Sequence, residues 1–240
     1  MDFRKKAVFN WSGGKDSALA LQKILEKNEY EVISLVTTIE EKTGASSMHG
    51  IPLELLKKQA ESIGIPLYTI SIGNNEGNYE DGMSKAIIHF KEQSVTHFIF
   101  GDLYLSEVKS YRESKLNPLG VEVVEPLWNK TSQEVLDDFF NSGIKARIIV
   151  TRADILNDSF IGKDIDHHLL QLLPDGMDMC GENGEYHTFC YDGGPLKTKI
   201  DFEIINVNKI SYCFKLDTGE KETYEYWHAL IAAETKNKVN

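Results

Sequence analysis

Ala7-Val8-Phe9-Asn10-Trp11-Ser12-Gly13-Gly14-Lys15-Asp16-Ser17 begins with an apolar run and ends in a polar, glycine-bearing turn. The next residues, Ala18 to Leu25, repeat apolar side chains at helical spacing. A strand, a glycine turn and a helix start therefore follow one another directly. The two glycines let the backbone take positive φ and come close to a ligand. The first N–H groups of the helix have no intrahelical acceptor, and the helix dipole adds positive charge there. Phosphate is the natural occupant of such a place.

Working outward, the first 150 residues alternate strand and helix patterns, which predicts a parallel sheet covered by helices on both faces. Strands are expected at 31–38, 66–72, 97–100, 121–124 and 146–150, the last one closing this half. Helices are expected at 52–60, stopping near Gly64, and at 79–93 and 106–116. Thr131-Ser132-Gln133-Glu134 reads as a capping box opening a further helix that stops at Gly143. Residues 151–240 change rhythm and read as a second, smaller α+β domain packed closely on the first. Asp201 to Leu216 alternates like paired strands, Asp217-Thr218-Gly219 reads as a turn, and Glu234 to Asn240 as a frayed polar tail.

The chain has 240 residues, enough for one large or two small domains. Its net charge of −11 argues against a broad nucleic-acid grip, which draws on Lys and Arg neutralising phosphates. With no apolar run of about 20 residues, no membrane span is expected, and cytoplasmic residence follows by default. Cys180, Cys190 and Cys213 show neither a Cys-x-x-Cys pair nor a zinc spacing, so reduced thiols are expected. A lone catalytic cysteine stays open.

In a doubly wound sheet, ligands gather at the carboxyl ends of the strands. Thr37 and Thr38 end the second strand, where a nucleoside would lie, although Thr is also an ordinary strand residue. Gly101-Asp102 ends another strand, and its carboxylate is placed either to hold Mg²⁺ against phosphates or to cap the next helix. Asp16 faces the same choice. Lys15 either offsets charge on a departing pyrophosphate or is solvated surface. His49 lies in the loop Met48-His49-Gly50-Ile51-Pro52 and is either a phosphate contact or an exposed loop histidine. Farther on, Gly181-Glu182-Asn183-Gly184-Glu185-Tyr186 combines carboxylates and glycines. Asn183-Gly184 suits a type I′ hairpin turn, which leaves the two glutamates unexplained.

Ser12-Gly13-Gly14-Lys15-Asp16-Ser17 is not a Walker A loop, because Asp16 stands where Ser or Thr is required. It resembles the PP-loop of ATP pyrophosphatases. Met48–Pro52, Gly101-Asp102, Glu125-Pro126-Leu127-Trp128 and Gly181–Tyr186 follow in order. Together they resemble the diphthine–ammonia ligase (diphthamide synthase) family over residues 5 to 200. The resemblance implies a Rossmann-like, HUP-type sheet as in adenine nucleotide alpha hydrolases. It implies nucleotide contacts at Ser12, Gly13, Gly14, Lys15, Asp16, Ser17, Thr37, Thr38, His49, Gly101 and Asp102. Lys15, Asp16 and Ser17 would be catalytic, with Asp16 and Asp102 holding Mg²⁺.

The implied reaction uses ATP to adenylate the carboxylate of diphthine on elongation factor 2, and ammonia then displaces AMP. Gly181, Glu182, Asn183, Gly184, Glu185 and Tyr186 would bind the substrate, with Glu182, Glu185 and Tyr186 receiving its trimethylammonium group. Two departures stand out. His187 occupies a position where the family more often has an acidic residue, and the sequence resembles the short archaeal and bacterial type. For a bacterial source, a related PP-loop enzyme activating a different small-molecule acyl substrate is the alternative. A nucleotide-binding regulatory module would not need the second half, and tRNA thiolation is disfavoured by the charge and the missing cysteine pairs. Oligomeric state is left open, a homodimer included.

Overall fold

Alternation along the first strand assigns its residues to two sides, since successive side chains of a strand point to opposite faces. Ala7 and Phe9 enter one buried cluster and Val8 another. The computed structural model describes residues 4–73, 78–215 and 221–234. The turn expected at Asp217–Gly219 and positions 235–240 of the polar tail lie outside the described residues.

The first half folds as β1 (Lys5–Asn10), α1 (Lys15–Lys27), β2 (Tyr30–Glu40), β3 (Ala45–Ser46), α2 (Leu53–Ile63), β4 (Leu67–Ile72), α3 (Asn78–Lys91), β5 (His97–Ile99), α4 (Ser106–Leu116), β6 (Glu122–Val124) and α5 (Ser132–Ser142). β1 pairs parallel with β2 and β5, β2 with β4, and β5 with β6. Leu35 and Val36 pair with both β1 and β4, so those strands flank β2 on opposite sides. The parallel strands thus run β4-β2-β1-β5-β6, and the short β3 folds back antiparallel on the end of β2. Chain direction across the sheet reverses between β1 and β5, the crevice where such sheets bind ligands.

Helices cover both faces, as expected. α1, α2 and α5 bury Leu21, Leu55 and Phe139 on one side, while α3 buries Ala86, Ile87 and Phe90 on the other. The stop signals act as read. Gly64 and Gly143 cap α2 and α5 in the left-handed conformation, and Thr131 with Glu134 forms the capping box.

The second half contributes β7 (Lys145–Arg152), α6 (His167–Leu170), β8 (Tyr186–Asp192), β9 (Phe202–Lys215) and β10 (Lys221–Ala233). Four antiparallel strands make a second sheet in the order β8-β7-β10-β9. β7, read as closing the first sheet, belongs to this one. Its apolar run, Ile148-Ile149-Val150, would be buried in either sheet, and nothing local chooses the partner. Asp201–Leu216, read as paired strands, is one long strand over its described part.

The two sheets share a core, in which Phe9 and Leu21 belong to the same buried cluster as Ile148, Phe189 and Ile231. Gln59 of α2 joins the halves with polar bonds. It is fully buried, its Oε1 accepts the Trp11 indole N–H at 2.9 Å, and its Nε2 donates to the carbonyls of Gly13 at 3.1 Å and Cys190 at 2.6 Å. Gln59→Leu keeps the volume and strips all three bonds. It should lower the unfolding free energy by roughly 3 kcal/mol, given the cost of leaving buried polar groups unsatisfied. Urea denaturation measures this, and a loss below about 1 kcal/mol would mean the site repairs itself.

Candidate active site

The β1–α1 turn passes beneath the sheet's carboxyl edge because two glycines allow close approach. Gly13 has φ +85°, and a Cβ there would stand 2.8 Å from Ile51 Cδ1. Gly101, just past β5, lies so near α1 that a Cβ would be 3.1 Å from Ser17 Cα. The loop is fastened by β8: Cys190 N–H donates to the Gly13 carbonyl at 2.8 Å, and Lys15 N–H donates to Thr188 Oγ1 at 2.9 Å. Ser12 Oγ accepts from Gly14 N–H, and Ser17 Oγ from Ser12 N–H. Ala18 N–H starts the helical ladder on Gly14. Among the described residues, the Asp16 and Ser17 N–H groups have no acceptor, which leaves the helix start able to bind an anion.

A cavity of about 400 Å³ opens above this turn. Ser12, Lys15, Asp16 and Ser17 line it from β1–α1, Thr37 and Thr38 from β2, His49 from the loop before α2, and Gly101 and Asp102 from the β5 end. Gly181, Glu182 and Tyr186 line it from the second half. Gly13 and Gly14 lie behind the wall and shape it. Asn183, Gly184 and Glu185 lie off it.

Charges in the cavity come in pairs. Lys15 is only 3% exposed, with Nζ at 2.9 and 2.7 Å from the Asp16 carboxylate oxygens and also donating to the Cys180 carbonyl. Burial alone would lower its pKa, but Asp16 and the neighbouring Tyr186 and Cys180 hold the ammonium above its usual range. Arg112 of α4, not singled out in the sequence, forks onto the Asp102 carboxylate. Both carboxylates expected to hold Mg²⁺ therefore already face a cation of the chain. No group of three or more His, Cys, Asp or Glu gathers at metal-holding distance among the described residues. Two carboxylates on one cavity suit Mg²⁺ only if phosphate oxygens and water complete the shell.

Three carboxylates shape the loop from Asp178 to Glu185, and two of them serve the loop itself. Asp178 accepts from the Ser132 hydroxyl and from the N–H groups of Cys180 and Glu182. Glu185, 4% exposed, accepts from Asp178 N–H, Asn183 N–H and the Asn183 amide. The turn runs from Gly181 to Gly184, closed by Gly184 N–H on the Gly181 carbonyl at 3.0 Å. Asn183 keeps a negative φ, so the expected type I′ turn does not form. Glu182 alone faces the cavity, its Oε1 accepting Leu103 N–H at 3.0 Å. Burial, against the bond from Leu103, pushes its pKa up to about 7. Tyr186 is buried, donates to the Met179 carbonyl and carries Lys15 Nζ 5.3 Å from its ring centre.

His187 and Thr188 follow Tyr186 into β8. The His187 ring lies 4.6 Å from that of His49, and its Nε2 is buried without a partner. Burial lowers the pKa of His49 and His228 to about 4, and that of His187 well below its usual value, with Lys15 adding to the effect at His49 and His187. These imidazoles are neutral at pH 7. Cys180 and Cys190 are buried free thiols, each pushed by burial to about 12, and Cys213 is exposed. Neither buried thiol is a ready nucleophile.

Comparison with known proteins completes this picture. The diphthamide synthase N-terminal domain family matches residues 5–123, and the diphthamide synthase C-terminal domain family matches residues 130–230. The diphthine–ammonia ligases of Bos taurus and Homo sapiens are each 26% identical over 212 residues, covering 79% of this chain and 79% of theirs. Among solved structures, the U34-tRNA thiolase NcsA of Methanococcus maripaludis with its 4Fe–4S cluster aligns at 16% identity over 58% of each chain, with a TM-score of 0.38. No helix of the described residues is long and apolar enough to cross a membrane.

Carbon-13 NMR of the side-chain carboxyls tests the Glu182 environment. Its carboxyl carbon should titrate with a midpoint about 7, where ordinary glutamates titrate near 4.5. Because the folded pKa is raised, the stability from keeping Glu182 protonated is full below the ordinary value and is lost as pH rises through 7. Glu182→Gln should remove that loss in melts compared at pH 5 and pH 8.

Proposed function

The chain belongs to the diphthamide synthase family, and on that premise we propose that it is an ATP-dependent diphthine–ammonia ligase. Its protein substrate is elongation factor 2 bearing diphthine. ATP adenylates the diphthine carboxylate and pyrophosphate leaves. Ammonia then attacks the acyl carbon, AMP departs, and the amide remains. One observation carries this reading: β8 brings the Gly181–Tyr186 loop onto the same cavity as the Ser12–Ser17 turn. An anion site and an acidic, partly buried wall thus share a space large enough for a nucleotide and an acyl group. Cytoplasmic residence is part of the same proposal.

Residue roles follow from what each group offers. The free N–H groups of Asp16 and Ser17, with the α1 dipole, bind pyrophosphate, and Lys15 offsets its charge as it leaves. Asp16 and Asp102 would hold Mg²⁺, which would supply positive charge against the repulsion felt by an incoming carboxylate. Thr37, Thr38 and the neutral His49 line the nucleoside side. Glu185 and Tyr186 are occupied within the fold, so Glu182 remains as the carboxylate that meets the acyl substrate. When nitrogen attacks, the new C–N bond leaves a surplus proton, and Glu182, which lines the cavity, accepts it. A carboxylate with a pKa near 7 is suited to that task at neutral pH.

Product analysis tests the function. The protein is incubated with ATP, Mg²⁺, ammonium and diphthine-bearing elongation factor 2. AMP with pyrophosphate, and a change of acid to amide in the mass of the factor, is the expected result. ADP, or an unchanged factor, would overturn it. Lys15→Ala should abolish turnover. With free ammonia held constant, the amination rate should rise with pH through a midpoint near 7. Glu182→Gln should remove that step and slow amination on the order of 10²–10⁴-fold.

A further inference from the structure

Glu125 is a buried carboxylate in an unusual position. Its side chain is fully covered, and neither oxygen has a hydrogen-bond partner. Two cations of α4 meet its charge: Lys109 Nζ at 3.2 Å and Arg112 Nη1 at 3.6 Å. Burial raises the pKa of Glu125 while those cations pull it back down. A buried charge costs several kcal/mol unless it is compensated, so this arrangement persists through its partners. Lys109 also lies 4.3 Å from the Trp128 ring centre.

Arg112 is held from three directions. Its guanidinium stacks 4.0 Å from the Phe100 ring centre, forks onto Asp102 and faces Glu125. Lys15 and Arg112 are the Lys and Arg side chains on the wall of the main cavity among the described residues. Lys15 stands on the β1 side of the switch point with the Ser12–Ser17 turn. Arg112 stands on the β5 side, at the junction with a second cavity of about 190 Å³ lined by Tyr79, Met83 and Leu116. Asp102 takes one N–H from each terminal nitrogen of the fork and Nη1 also faces Glu125, which leaves Nε and the second N–H of Nη2 for an anion.

We propose that Arg112 is a catalytic residue that grips the α-phosphate of ATP, the phosphate that stays with AMP, and that Glu125 is a positioning residue that aims its guanidinium. The proposal rests on the ATP reading above. In adenylation a carboxylate oxygen bonds to the α-phosphorus. The bond from that phosphorus to the bridging oxygen breaks, and its electron pair leaves with pyrophosphate. In amination the acyl carbon–oxygen bond breaks, and its electron pair goes to the AMP phosphate. Both steps change charge on the same phosphate, and a planar guanidinium fork matches two of its oxygens at once. The Ser12–Ser17 turn is left to hold pyrophosphate. Two anions are thus held by two separate sets of donors.

Calorimetric titration with AMP and, separately, with pyrophosphate tests this without turnover. Arg112→Gln should weaken AMP at least about tenfold, and Arg112→Lys less, since a lysine keeps the charge without the fork. Both variants should leave pyrophosphate affinity within about twofold of wild type. Glu125→Gln should weaken AMP by about fivefold, and should add nothing in an Arg112→Gln background, the signature of residues acting through one another. Circular dichroism melts establish folding, and if Arg112→Gln does not fold, Arg112→Lys carries the comparison. Unchanged AMP affinity, or equal loss of AMP and pyrophosphate, overturns the proposal for Arg112. Additive losses overturn the positioning role of Glu125. A wild-type protein that binds neither AMP, pyrophosphate nor ATP would instead remove the ATP reading itself.

Discussion

The hydrogen bond from Cys190 N–H to the Gly13 carbonyl, with Gln59 bonded to the carbonyls at both ends of it, ties the Ser12–Ser17 turn to the second sheet. A glycine turn alone is a loose anion site, because its residues lose much backbone entropy when ordered. Here β8 supplies the order. Thr188 takes the Lys15 N–H, Cys190 takes the Gly13 carbonyl, and the Trp11 indole closes the set through Gln59. The same strand starts at Tyr186, so whatever fixes the turn also fixes the loop before it. The Ser12–Ser17 turn and the Gly181–Tyr186 loop, which meet at the cavity, are therefore held by one strand.

Electrostatics follow from that construction. Bringing the loop of the second half over the first buries Lys15 and brings the half-buried Asp16, Glu182 and His187 to the same cavity. Lys15 keeps its charge because Asp16 sits beside it. Glu182 has only one N–H to satisfy it and is left near neutrality. The histidines, lowered first by burial and then by the neighbouring ammonium and one another, stay neutral. Burial and a few close neighbours are enough to leave a permanent cation, a carboxylate of raised pKa and neutral imidazoles side by side.

Arg112 and Glu185 show what sequence reading misses and why. Nothing local marks Arg112, an arginine on a polar helix, as different from the lysines around it. Its surroundings are Phe100 and Asp102 from the end of β5 and Glu125 from the end of β6. Glu185 looks like a ligand group beside Glu182, yet the backbone of its own loop consumes it. In a short polar loop, the carboxylates that satisfy N–H groups and the one that faces outward share the same local pattern. His187 was visible as a departure, but its contact with His49 was not.

What the sequence determined by itself was local: the strand–turn–helix that opens the chain, the parallel alternation, the capping box at Thr131 and the glycine stops at Gly64 and Gly143. Each depends on residues a few positions apart, whose dihedral preferences and hydrogen bonds act within one turn. Tertiary structure decided the rest: that β7 joins the second sheet, that β8 braces the Ser12–Ser17 turn, that Arg112 pairs with Asp102, and that Glu182 is the carboxylate of its loop that faces the cavity. An apolar strand buries equally well in either sheet, and a charged side chain is specified by its neighbours in space. Those neighbours come from distant segments, and only the packed chain brings them together.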